Sequence, residues 1–168
     1  MDQKKIDFYQ NNGVVLLKKI INEYWLSKLE IGIEKNFSNP SIYKCVYEKK
    51  GNHELFYDDY CNWQRILEYK DFLFKSGISK IAAELMKSNK VNIFHEHVLI
   101  KEKGAQKKTP WHQDQSYYCV NGSQNVSFWC PLDNITKKTC PEFVLKSHKW
   151  NEKFLPTKFF GHSYEHVD

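Results

Sequence analysis

After a polar opening, Gly13 is followed by Val14, Val15, Leu16 and Leu17, an apolar run of strand length that reads as an early buried strand. Beyond it Trp25, Leu26, Leu29 and Ile33 recur at intervals of three and four, the period of a helix with one apolar face. Asn22 stands where a side-chain oxygen caps the first turn of that helix, and Asn39 and Pro40 end it. Residues 42–68 mix aromatic and polar groups without a clean period and read as loops over a pocket. A second helical stripe then runs through Phe72, Leu73, Ile78, Ile81, Ala82, Leu85 and Met86, with Lys and Glu opposite, and reads as core. After Asn89 the runs at 91–101, 126–132 and 142–145 read as strands, separated by Gly104, Asn121, Gly122 and a turn at Lys137 and Lys138. Helices followed by strands predict an α+β chain. With no repeat, linker or low-complexity segment, residues 1–168 read as a single domain.

Composition sharpens this picture in three places. A chain of 168 residues that is 41% apolar and 15% aromatic can bury a core, which argues against disorder. The net charge of +5 comes from 25 basic and 20 acidic residues, but every basic residue except Arg65 is Lys, scattered from Lys4 to Lys158. Nucleic-acid binders concentrate such charge in a stripe, so a nucleic-acid partner is not expected. The five cysteines are odd in number and lack C-x-x-C spacing, which suits a reducing compartment. No apolar run follows Met1 to Lys5 or is long enough to span a bilayer, so the expectation is a cytoplasmic protein without a membrane partner. The pattern leaves the oligomeric state open.

The most informative stretch runs from Thr109 to Tyr118 and contains His112-Gln113-Asp114. In extended backbone, side chains two apart share a face, so His112 and Asp114 can offer an imidazole nitrogen and a carboxylate oxygen to one cation. Joined by a distant second His, such a pair forms the 2-His-1-carboxylate triad of non-haem Fe(II) oxygenases, which leaves open coordination positions for cosubstrate and O2. A bare H-x-D is a weak pattern, because a His beside an Asp is often an ordinary hydrogen-bonded pair. The surroundings carry more.

Those surroundings are the strand-like run Phe94 to Glu102, the segment Thr109 to Asp114, Ser127-Phe128-Trp129, the turn Ser147-His148-Lys149-Trp150, and the opening Phe8 to Leu17. Together they resemble the phytanoyl-CoA dioxygenase family over most of the chain, with residues 42–68 carrying little of the likeness. The resemblance implies a double-stranded β-helix (jelly-roll, cupin-like) core with N-terminal helices and Fe(II) held by His112 and Asp114. It also implies 2-oxoglutarate as cosubstrate, with Gln113 and Trp129 lining its pocket, and a small organic or acyl substrate. Tyr117 and Tyr118 would contribute to a dry pocket. Trp129 also has a plain reading as a core aromatic.

Two features of the family find no counterpart. Its second iron-binding His lies well C-terminal to H-x-D and is followed by an Arg that grips the 2-oxoglutarate carboxylate in a two-pronged pair. Here no Arg follows Asp114, Arg65 lies far upstream, His148 matches a turn histidine, and His162 and His166 fall in the last seven residues. The expectation is therefore the N-terminal portion of a jelly-roll dioxygenase domain whose last core strands are missing. Thr139 and Lys146 stand where the family tends to have Gly, which puts the turn geometry in question. Two alternatives remain: a cupin-type metal pair at His95 and His97, and a non-catalytic jelly-roll binding protein that has lost the iron site. Zinc protease and zinc deaminase signatures are absent, since His95-Glu96-His97 is too short for H-E-x-x-H and Cys130-Pro131 lacks its C-x-x-C partner.

Overall fold

The computed structural model describes residues 1–154. Helix α1 (Gln3–Asn12) starts where the Asp2 carboxylate accepts the Lys4 amide at 3.0 Å and ends at Gly13, whose left-handed backbone lets its N–H reach the Tyr9 carbonyl at 2.7 Å. The expected strand at residues 14–17 does not form, and Leu16 is exposed. A strand needs a neighbour for its N–H and C=O groups, and these four residues bridge two helices with no strand alongside. Helix α2 (Glu23–Ser38) follows the sequence pattern. The Asn22 side chain accepts the Trp25 amide at 3.1 Å, and the helix stops before Pro40.

The segment read as loops contains a hairpin. Strand β1 (Cys45–Lys50) pairs antiparallel with β2 (His53–Tyr60) across a two-residue Gly51-Asn52 turn, and β2 pairs antiparallel with β3 (His97–Lys101), giving the order β1-β2-β3. Gly-Asn between two aromatic-rich runs is itself a hairpin signal. It was obscured because β2 places acidic Asp58 and Asp59 at buried positions where an alternating pattern calls for apolar ones. The expected strand at 91–101 shortens to β3, since residues 91–96 have no strand partner.

The second helical stripe also divides. Helix α3 (Leu67–Lys75) and helix α4 (Ile78–Met86) are separated at Gly77, which takes φ 87°. Helix α2 packs on α3, with Trp25 edge-on to Phe72 at 6.0 Å between centroids. Lys28 reaches Asp71 and Lys35 reaches Glu68, each at 2.5 Å. On the sheet side Phe37 of α2 meets Tyr57 of β2 edge-on at 4.8 Å. The core consists of Ile6, Phe56, Ile66, Tyr69, Phe72, Ile78, Ala82 and Leu85.

A buried polar knot ties these layers together. Asn36 of α2, fully enclosed, donates to Asp59 Oδ2 at 2.8 Å and accepts the Tyr69 hydroxyl at 3.2 Å. Asp59 also takes the amides of Ser41 at 2.7 Å and Tyr60 at 2.8 Å, and the Ser41 hydroxyl. Burial alone pushes a carboxyl upward, yet the Ser41, Asn62 and Asn36 hydrogen bonds outweigh it and hold Asp59 below the usual aspartate range. Arg65 serves this region, donating from Nε to Asn62 at 2.6 Å with Nη2 at 4.0 Å from Asp59.

From Glu102 to Phe154 the described backbone contains only two short 3-10 turns, Asp114–Tyr117 and Ser147–Lys149. The strands expected at 126–132 and 142–145 do not form; Trp129, Phe143, Val144 and Leu145 lie exposed, while Val126, Phe128 and Leu132 are half-buried. The physical reason is again pairing, because no other strand of the described residues runs beside them. The expected turn at Lys137 and Lys138 is present, closed by the Thr139 amide on the Thr136 carbonyl at 3.1 Å. The described elements are thus a mixed α+β set of helices and one small antiparallel sheet. No helix among the described residues is long and apolar enough to cross a membrane.

The turn 146–148 docks on the end of α1. The Lys146 amide donates to the Asn12 carbonyl at 2.9 Å, and His148 Nε2 lies 3.1 Å from the Gln10 carbonyl. Lys146 adopts φ 67°, the left-handed conformation that its replacement of a glycine put in question.

Candidate metal-binding pair

His112 and Asp114 do come together, although on no strand. Gln113 between them is extended at φ −105° and ψ 127°, which keeps the two neighbours on one side, and Asp114 then opens the 3-10 turn. His112 Nε2 lies 3.4 Å from Asp114 Oδ1. Two donor atoms each about 2.1 Å from one metal ion at adjacent octahedral positions stand roughly 3 Å apart, so the observed spacing fits a shared cation.

Their partners favour the metal-binding forms. His112 Nδ1 is 2.8 Å from the Pro110 carbonyl, an acceptor only, so Nδ1 carries a hydrogen and Nε2 is the atom that faces Asp114 and would take a metal once its own proton has left. Asp114 Oδ2 accepts Ser127 Oγ at 3.0 Å and the Tyr118 hydroxyl at 3.5 Å, and those two hydroxyls lie 2.9 Å from each other. Asp114 Oδ1 stays directed at His112. The hydrogen bond to His112, followed by that from Ser127, holds Asp114 below the usual aspartate range against the opposing effect of burial. The Asp114 carboxylate correspondingly raises His112. Without a metal the pair shares a proton, which a cation would displace.

Gln113 points the other way, as the residue between two same-side neighbours must. Its amide clamps the chain at residues 152–154, donating to the Glu152 carbonyl at 3.2 Å and accepting the Phe154 amide at 3.1 Å. Trp129 is exposed, and the structure does not bring it onto the metal-binding pair. Tyr117 packs edge-on against the His112 ring at 5.7 Å between centroids. Ser127, to which the sequence assigned no role of its own, is the side chain that holds Asp114 Oδ2. Its only local signal is its place beside Phe128 and Trp129 in an apolar run.

The alternative pair at His95 and His97 is arranged differently. The two ring centroids are 6.3 Å apart at 76°, and His97 Nε2 is taken by Asp58 Oδ2 at 2.7 Å. His95 Nδ1 is buried without a hydrogen-bond partner among the described residues, and burial, with His97 nearby, pushes its imidazole below the ordinary histidine range. Among the described residues no three His, Cys, Asp or Glu side chains converge as a metal site. Neither pair finds a third protein ligand there, and His162 and His166 lie outside the described residues.

Comparison with known families gives one result. The family model described as phytanoyl-CoA dioxygenase (PhyH) matches residues 9–167, nearly the whole chain. No curated protein and no solved structure matches it.

Proposed function

The chain belongs to the phytanoyl-CoA dioxygenase family, and on that premise we propose that it is an Fe(II)- and 2-oxoglutarate-dependent oxygenase acting on a small organic or acyl substrate in the cytoplasm. The observation that carries the reading is the His112 Nε2 to Asp114 Oδ1 approach of 3.4 Å, with the imidazole tautomer set by the Pro110 carbonyl. The antiparallel sheet β1-β2-β3, backed on one side by α2, fits one part of a double-stranded β-helix.

His112 and Asp114 would hold Fe(II). When bound, the metal with 2-oxoglutarate and O2 supplies the oxidation: R–H, 2-oxoglutarate and O2 become R–OH, succinate and CO2. The chain's own contribution is orientation. Pro110 holds the imidazole, Ser127 and Tyr118 hold the carboxylate, and the Tyr117 ring covers one side of His112. Gln113 fixes the segment at residues 152–154, and on the family likeness, not on their placement, we assign Gln113 and Trp129 to the 2-oxoglutarate pocket.

Titrating the purified protein with Mn(II), a redox-inert stand-in for Fe(II), tests the reading. One bound ion is expected, lost in Asp114→Ala, together with 2-oxoglutarate-dependent succinate formation under Fe(II) that is also lost. Stoichiometric metal retained by both His112→Ala and Asp114→Ala would overturn the site. A protein binding neither Mn(II) nor 2-oxoglutarate would be the non-catalytic binding protein instead.

A further inference from the structure

A second polar cluster lies on the three-stranded sheet, outside the metal pair. Asp58 of β2, the central strand, is 2% exposed, and its Oδ2 is 2.7 Å from both the Tyr47 hydroxyl and His97 Nε2. Tyr47 sits at the irregularity in the β1–β2 register between Val46 and Glu48, where a bulge re-aims a side chain. A carboxylate accepts and does not donate, so both Tyr47 and His97 give it a hydrogen. Oδ1 of the same carboxylate is buried and has no hydrogen-bond partner among the described residues. A buried carboxylate is costly to keep unless it is used, and here its visible effect is to set the state of one imidazole.

In a neutral imidazole with Nε2–H held by Asp58, the lone pair of His97 lies on Nδ1. The side chain is 36% exposed, and Nδ1 has no hydrogen-bond partner among the described residues. From His97 a series of rings leads to the metal pair. Tyr60 lies 5.5 Å from His97 and 6.0 Å from His95, while His95 is 6.2 Å and Phe94 5.0 Å from Tyr118, all between centroids. Tyr118 in turn reaches Asp114. The structure thus places a hydrogen-bond acceptor at one end of a row of rings and the metal pair at the other, the arrangement that would suit a molecule with one polar end and an apolar body.

We propose that His97, oriented by Asp58, accepts a hydrogen from a hydroxyl or amine group of the substrate, whose apolar body lies along Tyr60, His95, Phe94 and Tyr118 toward His112 and Asp114. The inference rests on the oxygenase reading for what happens at the metal end. The recognition at His97 stands on its own geometry. His97 is a substrate-binding residue and Asp58 a positioning residue.

The test uses the full chain with 15N-labelled histidine at pH 7.5, with phenol and anisole as probes, since they share a ring and only phenol has a hydrogen to donate. Long-range 1H–15N spectra are expected to show His97 as the neutral Nε2–H tautomer. Phenol is expected to shift the Nδ1 resonance and to bind about two- to tenfold more tightly than anisole, the range of one net hydrogen bond. The preference disappears in His97→Phe, which keeps a ring against Tyr60. In Asp58→Asn, whose amide can donate to Nε2, the imidazole hydrogen moves to Nδ1 and the preference again disappears. A purely structural Asp58–His97 pair would leave the two probes equal. Equal binding, a preference that survives His97→Phe, or an Nδ1–H or doubly protonated His97 in the unsubstituted protein each overturns the proposal, whether or not Asp58→Asn folds. His112→Ala separates the two readings, because it should abolish Mn(II) binding and keep the phenol preference. A protein that prefers phenol yet never binds metal refutes the oxygenase reading and supports this one.

Discussion

Replacing Gly13 by Ala probes the clasp between the first helix and the turn 146–148. Two costs follow from the structure. The residue sits at φ 81°, where a Cβ costs about 1–2 kcal/mol, partly offset by about 0.4–1 kcal/mol because alanine loses less freedom on folding than glycine. The new Cβ would also stand 2.4 Å from His148 Nδ1 and 2.9 Å from its Cγ, so the ring must move or the turn must lift, an overpacking cost of about 1–3 kcal/mol. The expected loss is about 2–4 kcal/mol, which lowers Tm by roughly 5–12 °C for a chain of this size. Gly77 supplies the control, since its φ is 87° and a Cβ there meets nothing within 4 Å, so Gly77→Ala should cost no more than about 1.6 kcal/mol. Urea unfolding followed by tryptophan fluorescence measures both variants. Adding His148→Ala to Gly13→Ala closes a double-mutant cycle whose coupling should be about 1–3 kcal/mol. Equal losses at Gly13 and Gly77, or no coupling to His148, would refute the argument that the turn packs on the helix end.

Lys146→Gly removes a Cβ from a left-handed position and should stabilise by about 0.5–1 kcal/mol, read as a higher urea midpoint. An unchanged midpoint would mean that the φ of 67° is not held in solution. Asp59→Asn puts amide hydrogens against the donors of Ser41 and Tyr60 and should cost about 2–4 kcal/mol in the same assay. Because folding lowers the Asp59 pKa, its contribution is complete above the ordinary aspartate value near 3.8 and fades as pH falls below it toward the folded value. The variant should therefore lose less stability than the parent on going from pH 5 to pH 3, and parallel curves would count against the buried knot. At the metal pair, Asp114 raises the His112 pKa, so a bound ion must displace a proton, and apparent Mn(II) affinity should fall by about tenfold per pH unit below that pKa. Calorimetry at pH 8 and pH 6 checks this, and a pH-independent affinity would remove His112 from the ligand set.

The helix opening at Asn22, the approach of His112 to Asp114 and the turn at Lys137 and Lys138 were legible in the chain itself. Each depends on groups within about four residues of one another: a side-chain cap on an amide three residues on, two side chains flanking one extended residue, a carbonyl closing on a nearby amide. The same holds for the family, whose recurring segments from Phe8 to Trp150 could be recognised without knowing how they pack. Other features needed distant partners. Apolar residues at 14–17 and 126–132 have strand-like composition but no strand beside them, while the acidic β2, which looked like loop, becomes the centre of the sheet because β1 and β3 flank it. The burial of Asp58 and Asp59, the seat of His148 against Gly13, and the hold of Ser127 on Asp114 link segments that are separate in sequence, by 11 positions for Tyr47 and Asp58 and 13 for Asp114 and Ser127. Local hydrogen bonds and backbone preferences act through the covalent chain and are written in its order. Strand pairing, buried charge and close packing exist only once remote segments meet, so tertiary structure alone decided them.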